Sequence, residues 1–280
     1  MVKLSAIQLN STPDVEQNIK AITKQLAKLI PLENNGEVEH IVVLPECCLF
    51  FGANDQAQLS LAQQVKNNSK GKNELQLALS QLAKQYKVTL IGGTIPVVTE
   101  SGDKFTNTSC IFNSRGELIT SYDKIHLFDV NVADNAKTYC ESRYTQAGDK
   151  ACVAKTSIAN IGLSVCFDIR FPNLYQKLSE LGADIITVPS AFTRVTGKAH
   201  WQTLLQARAI ENQVYIIAAG QEGIHANGRE TWGHSMIISP WGEILAYLAQ
   251  GEGIITSDFI PLEIQRIRTS MPLKHALISN

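Results

Sequence analysis

A short apolar run, Ile161-Gly-Leu-Ser-Val, ends on Cys166 and passes into Phe167-Asp168-Ile169-Arg170 before Phe171-Pro172. A cysteine where a strand meets a turn is well placed for nucleophilic attack. The backbone N–H groups of Phe167 and Asp168 follow it and suit a developing oxyanion. The same window also fits a buried structural cysteine, because free cysteine is among the most buried residue types. Two other residues sit just past apolar runs: Glu46 after Ile41-Val-Val-Leu-Pro45, and Lys124 after the run 117–122. A thiol needs a base or a cationic neighbour to reach the thiolate near neutral pH. No histidine is an obvious partner in sequence. A carboxylate serves as base where burial raises its pKa, and a lysine ammonium can hold a tetrahedral oxyanion. Glu46, Lys124 and Cys166 are a complete set for acyl transfer if the fold gathers them. Taken singly, Glu46 fits a solvated strand-end carboxylate and Lys124 a surface cation.

The elements that must position these groups read as α/β. A strand is expected over 3–9. Apolar residues at 15, 19, 22, 26, 29 and 30 have helical spacing, and 41–44 reads as a strand buried on both faces. A loop at 33–36, helices over 56–66 and 75–86, a turn at 70–73 and a strand at 88–91 follow, then a hairpin of 109–112 with 117–122 around Asn113-Ser-Arg-Gly116. Residues 129–150 show little periodicity, and connections of that length are often functional. The second half predicts strands at 162–166, 184–188 and 214–219, helices at 173–181 and 200–212, and a hairpin of 234–239 with 243–248. A last strand at 253–259 and a short helix at 261–268 complete it. Each half runs strand, helix, strand ending at proline, helix, strand, hairpin. Val43-Leu-Pro-Glu46 matches Val188-Pro-Ser190, and Asn113-Ser-Arg-Gly-Glu117 matches Ser239-Pro-Trp-Gly-Glu243. Such a repeat predicts one domain over 1–280, with its core at about 3–259 and a helix and tail at 260–280. Its architecture is a four-layer α-β-β-α sandwich with pseudo-repeated halves.

The 280 residues are 44% hydrophobic and 18% charged with a formal charge of −1, an ordinary globular composition. A charge so near zero gives no long-range attraction to nucleic acid or an anionic membrane. The first ten residues do not make a signal peptide, and no run approaches the ~18 apolar residues of a membrane span. The expected location is cytoplasmic. Six cysteines at 47, 48, 110, 140, 152 and 166 are too few for a disulfide framework. His200, His225 and His234 fit no zinc pattern, and no phosphate-binding glycine loop is present.

Three blocks in order carry a resemblance. Leu44-Pro45-Glu46 with Gly52, then Tyr122-x-Lys124-x-His126-Leu127-Phe128, then Cys166-x-Asp168-x-Arg170-Phe171-Pro172 resemble the signature motifs of the nitrilase superfamily of carbon–nitrogen hydrolases. The likeness runs from about Lys3 to about Phe259. It implies an αββα sandwich and amide hydrolysis through a thioester on Cys166, with no cofactor or metal. Glu46 is implied as the proton carrier, and Lys124 with the Phe167 N–H as the oxyanion site. Glu141, in Tyr139-Cys-Glu-Ser142, matches a further family glutamate that orients the substrate or the lysine. Pro189-Ser-Ala-Phe192, Thr196-Gly197, Ala199-His-Trp201 and Leu205-Gln-Ala-Arg-Ala-Ile-Glu211 resemble the branch of deaminated glutathione amidases and omega-amidases. Ser190 and 207–211 lean towards the former. The implied substrate is deaminated glutathione, cleaved to 2-oxoglutarate and Cys-Gly.

By family position Arg170 and Thr196 are candidates for the 2-oxo acid carboxylate. Arg170 equally fits a structural ion pair with Asp168 or another carboxylate. Phe128 and Phe192 fit either pocket wall or plain core. The alternatives are an omega-amidase acting on 2-oxoglutaramate, an N-carbamoyl or nitrile hydrolase, and, from another class, a non-catalytic scaffold. The resemblance also implies a homodimer or higher homo-oligomer. The chain departs from the family at Phe167, where tyrosine is common, at Asn173, where glutamate is common, and in a shorter, less basic tail over 271–280. Arg208 is expected as a buried paired charge. Cys47 is either a redox-sensitive thiol or a small packing residue.

Overall fold

The computed structural model describes residues 1–29, 38–65, 73–134 and 138–273. The loop expected at 33–36, most of the turn at 70–73, the helix-end residues Ile30 and Lys66, part of the 129–150 segment and most of the tail lie outside the described residues. The first half runs β1 (Val2–Gln8), α1 (Val15–Leu26), β2 (Glu39–Val43), α2 (Asp55–Gln64), α3 (Glu74–Tyr86), β3 (Thr89–Ile91), β4 (Ile95–Val98), β5 (Phe105–Phe112) and β6 (Leu118–Asp123). A ribbon of β7 (Asp129–Asn131) and β8 (Thr138–Cys140) follows. The second half runs β9 (Cys152–Lys155), β10 (Asn160–Leu163), α4 (Pro172–Glu180), β11 (Ile185–Ser190), α5 (Arg194–Asn212) and β12 (Tyr215–Gly220). It continues with β13 (Glu222–Ile224), β14 (Glu230–Trp232), β15 (Ser235–Ile238), β16 (Ile244–Leu248), β17 (Gly253–Asp258) and α6 (Pro261–Ser270).

Two sheets carry the fold. A seven-stranded sheet has the order β17-β1-β2-β3-β5-β4 with β6 also on β5, and a six-stranded sheet has the order β16-β15-β12-β11-β10-β9. Each is built as an antiparallel edge, three parallel strands and then antiparallel partners: β17, β1-β2-β3, β5 and β6 in one, and β9, β10-β11-β12, β15 and β16 in the other. The repeat read from the sequence is therefore a repeat of strand order, and this is the αββα sandwich.

Alternation along the strands sets the layers. Leu4, Ala6, Ile41, Val43, Ile91 and Ile111 face the second sheet and share its core. Their neighbours Ile7, Val42, Leu90 and Phe112 face outward onto α1 and α3 through Ile22, Leu26, Leu79 and Leu82. On the far side Leu174, Tyr175 and Leu178 of α4 and Trp201, Leu205 and Ala209 of α5 cover the second sheet. The parallel strands are buried on both faces, which is why 41–44 reads as a continuous apolar run.

The helix ends follow local chemistry. Asp14 and Asn73 cap α1 and α3 by accepting backbone N–H groups. Thr193 caps α5, which starts at Arg194, six residues before the expected start. Apolar spacing is sparse in that first turn and hid it. Strands β4 and β9 and the two ribbons were not expected. Each is only three or four residues long, and Pro96 removes a donor from β4. Among the described residues no helix is long and apolar enough to cross a membrane.

Candidate active site

β2 ends at Val43, Pro45 stops its ladder, and Glu46 follows, 5% exposed. Gly93, at φ +58, passes so close that a Cβ there would lie 2.0 Å from the Pro45 carbonyl oxygen. β6 runs in the same sense as β2, being two antiparallel steps from β3. It therefore delivers Lys124 at the same end of the sheet. Lys124 is pinned there by its N–H to the Asn107 carbonyl at 3.0 Å and by the Gly148 N–H to its own carbonyl at 2.9 Å. In the opposite sheet β10 stops at Leu163, and Cys166 opens a 3-10 turn over Cys166–Arg170 with φ 49. The cysteine thus stands beyond the strand, in a left-handed backbone conformation rare for a non-glycine residue.

The charged side chains converge in the interior. Lys124 Nζ lies 2.9 Å from Glu46 Oε1 and 2.8 Å from Glu141 Oε2. Asn107 Nδ2 donates to Glu46 Oε1 at 3.0 Å. Across the sandwich the Ala191 N–H donates to Glu46 Oε2 at 3.0 Å. The Cys166 thiol lies close enough to feel the Glu46 and Lys124 charges. Glu141, just after β8, accepts the Phe128 N–H at 2.7 Å, which fixes the ribbon over the site.

Asp168 couples the two sheets. It is fully buried, and its Oδ2 accepts the Tyr122 hydroxyl at 2.7 Å and the Val165 N–H at 2.9 Å. Its Oδ1 accepts the His126 N–H at 3.0 Å and lies 2.7 Å from His126 Nδ1. The turn bearing the cysteine is thereby locked to the segment bearing the lysine.

Burial opposes charge on all four groups, and their partners decide each outcome. For Glu46 burial is outweighed by the charge and hydrogen bond of Lys124, so its carboxyl lies below the ordinary 4.5. For Glu141 burial, aided by the Glu46 charge, prevails over Lys124 and lifts it above 4.5. Lys124 would be lowered by burial, but the two carboxylates hold it well above its ordinary value. Burial and then the Glu46 charge push the Cys166 thiol well up, against Lys124. The resting set is thiol, carboxylate and ammonium. Burial and the Glu46 charge also push the Cys47 thiol far up, which fits packing and disfavours a redox-active thiolate.

A cavity of about 440 Å³ opens onto this group. Its wall holds Glu46, Lys124, Cys166, Glu141, Phe167, Phe128, Phe192 and Thr196, eight of the ten residues expected at the site. Phe167 is the second residue of its 3-10 turn, where a backbone N–H has no partner within the turn. Two expectations need correction. Ser190 is buried, and its hydroxyl is turned back onto the Val188 carbonyl at 3.3 Å, away from the cavity. Arg170 is outside the wall. Its guanidinium lies over the Phe167 and Phe192 rings, 5.7 and 5.3 Å from their centroids, with Nη1 3.3 Å from His200 Nδ1. Nor does it pair with Asp168, whose oxygens are taken by Tyr122, Val165 and His126. Arg208 is paired as expected, with Glu211 at 2.6 Å.

Sequence reading missed Asn107, the bridging role of Asp168, and Arg229, which also lines the cavity. Asn107 left a faint signal as a polar residue inside an otherwise buried strand. Arg229 sits in a ribbon turn that carried none. Among the described residues no group of His, Cys, Asp or Glu is arranged to hold a metal ion.

Comparison with known proteins gives consistent relatives. The model of the carbon–nitrogen hydrolase family matches residues 3–269. A deaminated glutathione amidase of Yersinia enterocolitica is 39% identical over 96% of this chain and 91% of its own length. An omega-amidase of Saccharomyces cerevisiae is 34% identical over 97% of this chain and 91% of its own length. The solved structure of Saccharomyces cerevisiae Nit3, described as a member of branch 10 of the nitrilase superfamily, is similar with a TM-score of 0.84. It is 32% identical and covers 98% of this chain and 95% of its own.

Proposed function

The chain belongs to the carbon–nitrogen hydrolase family, and from that premise we propose that Cys166 opens the amide of deaminated glutathione, releasing Cys-Gly and then 2-oxoglutarate. The observation that carries the mechanism is the bonding of Glu46. Lys124 and Asn107 hold one oxygen, the Ala191 N–H holds the other, and the carboxylate shares the cavity wall with Cys166, whose thiol feels its charge. A high-pKa thiol beside a low-pKa carboxylate does not ionise at rest. Proton transfer therefore accompanies attack. As the sulfur bonds to the carbonyl carbon, Glu46 takes the thiol proton. Lys124 and the Phe167 N–H meet the oxyanion where charge develops. Collapse breaks the C–N bond, and Glu46 passes its proton to the leaving amine. Water then attacks the thioester, giving a proton to Glu46. The second collapse expels the sulfur, which recovers that proton.

The substrate reading is supported by the names of the relatives and by a cavity of about 440 Å³, roomy for an amide larger than 2-oxoglutaramate. The smaller substrate remains the second reading, favoured by the omega-amidase relative. The chain acts as one domain, since β17 returns from the second half to pair with β1. It works as a cytoplasmic homodimer. Exposed Ile210, Trp241, Ile244, Leu245 and Tyr247 support self-association.

A panel of small amides, with ammonia and Cys-Gly release measured, tests the assignment. Deaminated glutathione is expected to give the highest kcat/KM, and Cys166→Ala to abolish turnover. Unchanged turnover in that variant refutes the mechanism.

A further inference from the structure

Arg229 stands in the turn region between β13 and β14 and lines the same cavity. Its Nη2 donates to the Ala191 carbonyl at 2.7 Å, anchoring it to the residue whose N–H holds Glu46. Its guanidinium carbon lies 5.2 Å from the Phe51 ring centroid and 5.1 Å from that of Tyr139, so two aromatic rings clamp it. Its Nε is buried without a hydrogen-bond partner. Among the described residues no carboxylate forms an ion pair with it. An arginine presents five N–H donors in a fixed fork, and this one spends a single donor on the protein. The other cation in the wall, Lys124, is already met by two carboxylates. Arg170, the sequence candidate for an anion, is not in the cavity wall and rests against the Phe167 and Phe192 rings.

A preoriented cation with idle donors at a cavity wall matches a planar anion. We propose that Arg229 is the specificity-determining residue that holds a carboxylate of the amide substrate through its guanidinium fork. The inference rests on the amidase reading of this cavity and adds the group that reads charge. Phe51 and Tyr139 keep the fork in place, so little side-chain entropy is lost on binding. Deaminated glutathione carries a carboxylate on its 2-oxo acid end and another on its glycine end. Both offer the same chemistry, and the test tells them apart.

Arg229→Gln and Arg229→Lys are compared with the unmodified enzyme on three substrates: deaminated glutathione, its glycinamide, and the analogue whose 2-oxo acid end is a methyl ketone. The glutamine variant is expected to lose roughly ten- to hundredfold in kcat/KM, mostly through KM, on substrates that keep the carboxylate it reads. The analogue lacking that carboxylate should lose much less, and lysine should restore part of the difference. An equal loss on all three substrates, or a loss in kcat alone, overturns the proposal and leaves Arg229 a support for Ala191. A second measurement needs no turnover: protection of Cys166 from iodoacetamide by 2-oxoglutarate and by S-methyl-Cys-Gly, whose blocked sulfur does not consume the reagent, followed by mass. One of these acids is expected to protect the unmodified enzyme, with at least tenfold more needed for Arg229→Gln. If neither protects, or both proteins are protected alike, Arg229 reads no carboxylate. Protection by an acid without hydrolysis of any amide would instead overturn the amidase reading and leave the role of Arg229 standing.

Discussion

Two carboxylates share the Lys124 ammonium, so neither titrates alone. Burial raises both, and Lys124 reverses this for Glu46 but not for Glu141. On acidification the first proton therefore enters at Glu141, above 4.5, while Glu46 keeps its charge to below 4.5. Glu46, the proposed base, is thus ionised across the neutral range, and the first loss on the acid side is one of the two anchors of Lys124. The acid limb of kcat/KM is expected to have its midpoint above 4.5 in the native enzyme. Glu141→Gln should lower the plateau and move the limb below 4.5, where Glu46 alone sets it. Profiles of the two proteins over the same pH range check this, and coincident limbs contradict the order of titration. Glu46→Gln removes the proton carrier while keeping the shape. It should cost about 10²- to 10⁴-fold in kcat, by the usual worth of a general base, with single-turnover thioester formation slowed as well.

At the scale of elements, the site is three strand ends, two of them held in register by one buried carboxylate. Asp168 takes N–H or O–H donors from Tyr122, Val165 and His126, so β6 and the cysteine turn cannot shift independently. Asp168→Asn turns an acceptor into a donor facing others, at a fully buried site. The expected cost is about 3 kcal/mol in denaturant unfolding, together with a fall in kcat larger than any change in KM. A variant of full stability and low kcat would instead give Asp168 a role in the chemistry itself. The sequence revealed the strand ends because Val-Val-Leu-Pro and Val-Pro-Ser stop long apolar runs, and strands buried on both faces leave that trace. It placed Glu46, Lys124 and Cys166 by motif order. It missed whatever depends on non-local contacts in short or irregular pieces. Arg229 reaches the cavity from a ribbon of three-residue strands, and Ser190 turned inward because its hydroxyl found a backbone carbonyl two residues back. Arg170 stands at the turn as its motif position implies, against the Phe167 and Phe192 rings and outside the cavity wall.

At the scale of the molecule, the two sheets are joined beside the site by polar contacts as well as by packing. Gln8 Oε1 accepts from the Ser235 N–H at 2.9 Å, and Gln221 Nε2 donates to the Glu46 carbonyl at 3.0 Å. Strand β16 forms one edge of the second sheet, and an exposed edge with apolar side chains invites another chain. Leu245 and Tyr247 lie on that strand, exposed. Trp241 lies in the turn before it, and Ile210 of α5 packs near Gly242 in the same turn. Exposed large apolar side chains grouped at one edge suit an interface. A second copy of the chain is the occupant proposed here, because it would cover the edge and the helix face together. Sedimentation is expected to give about twice 30.7 kDa. Trp241→Glu combined with Tyr247→Glu should shift the protein to a monomer, because two buried carboxylates without partners would face each other across the interface. Native protein that sediments as a monomer at micromolar concentration, or a double variant that stays dimeric, removes this surface from the account.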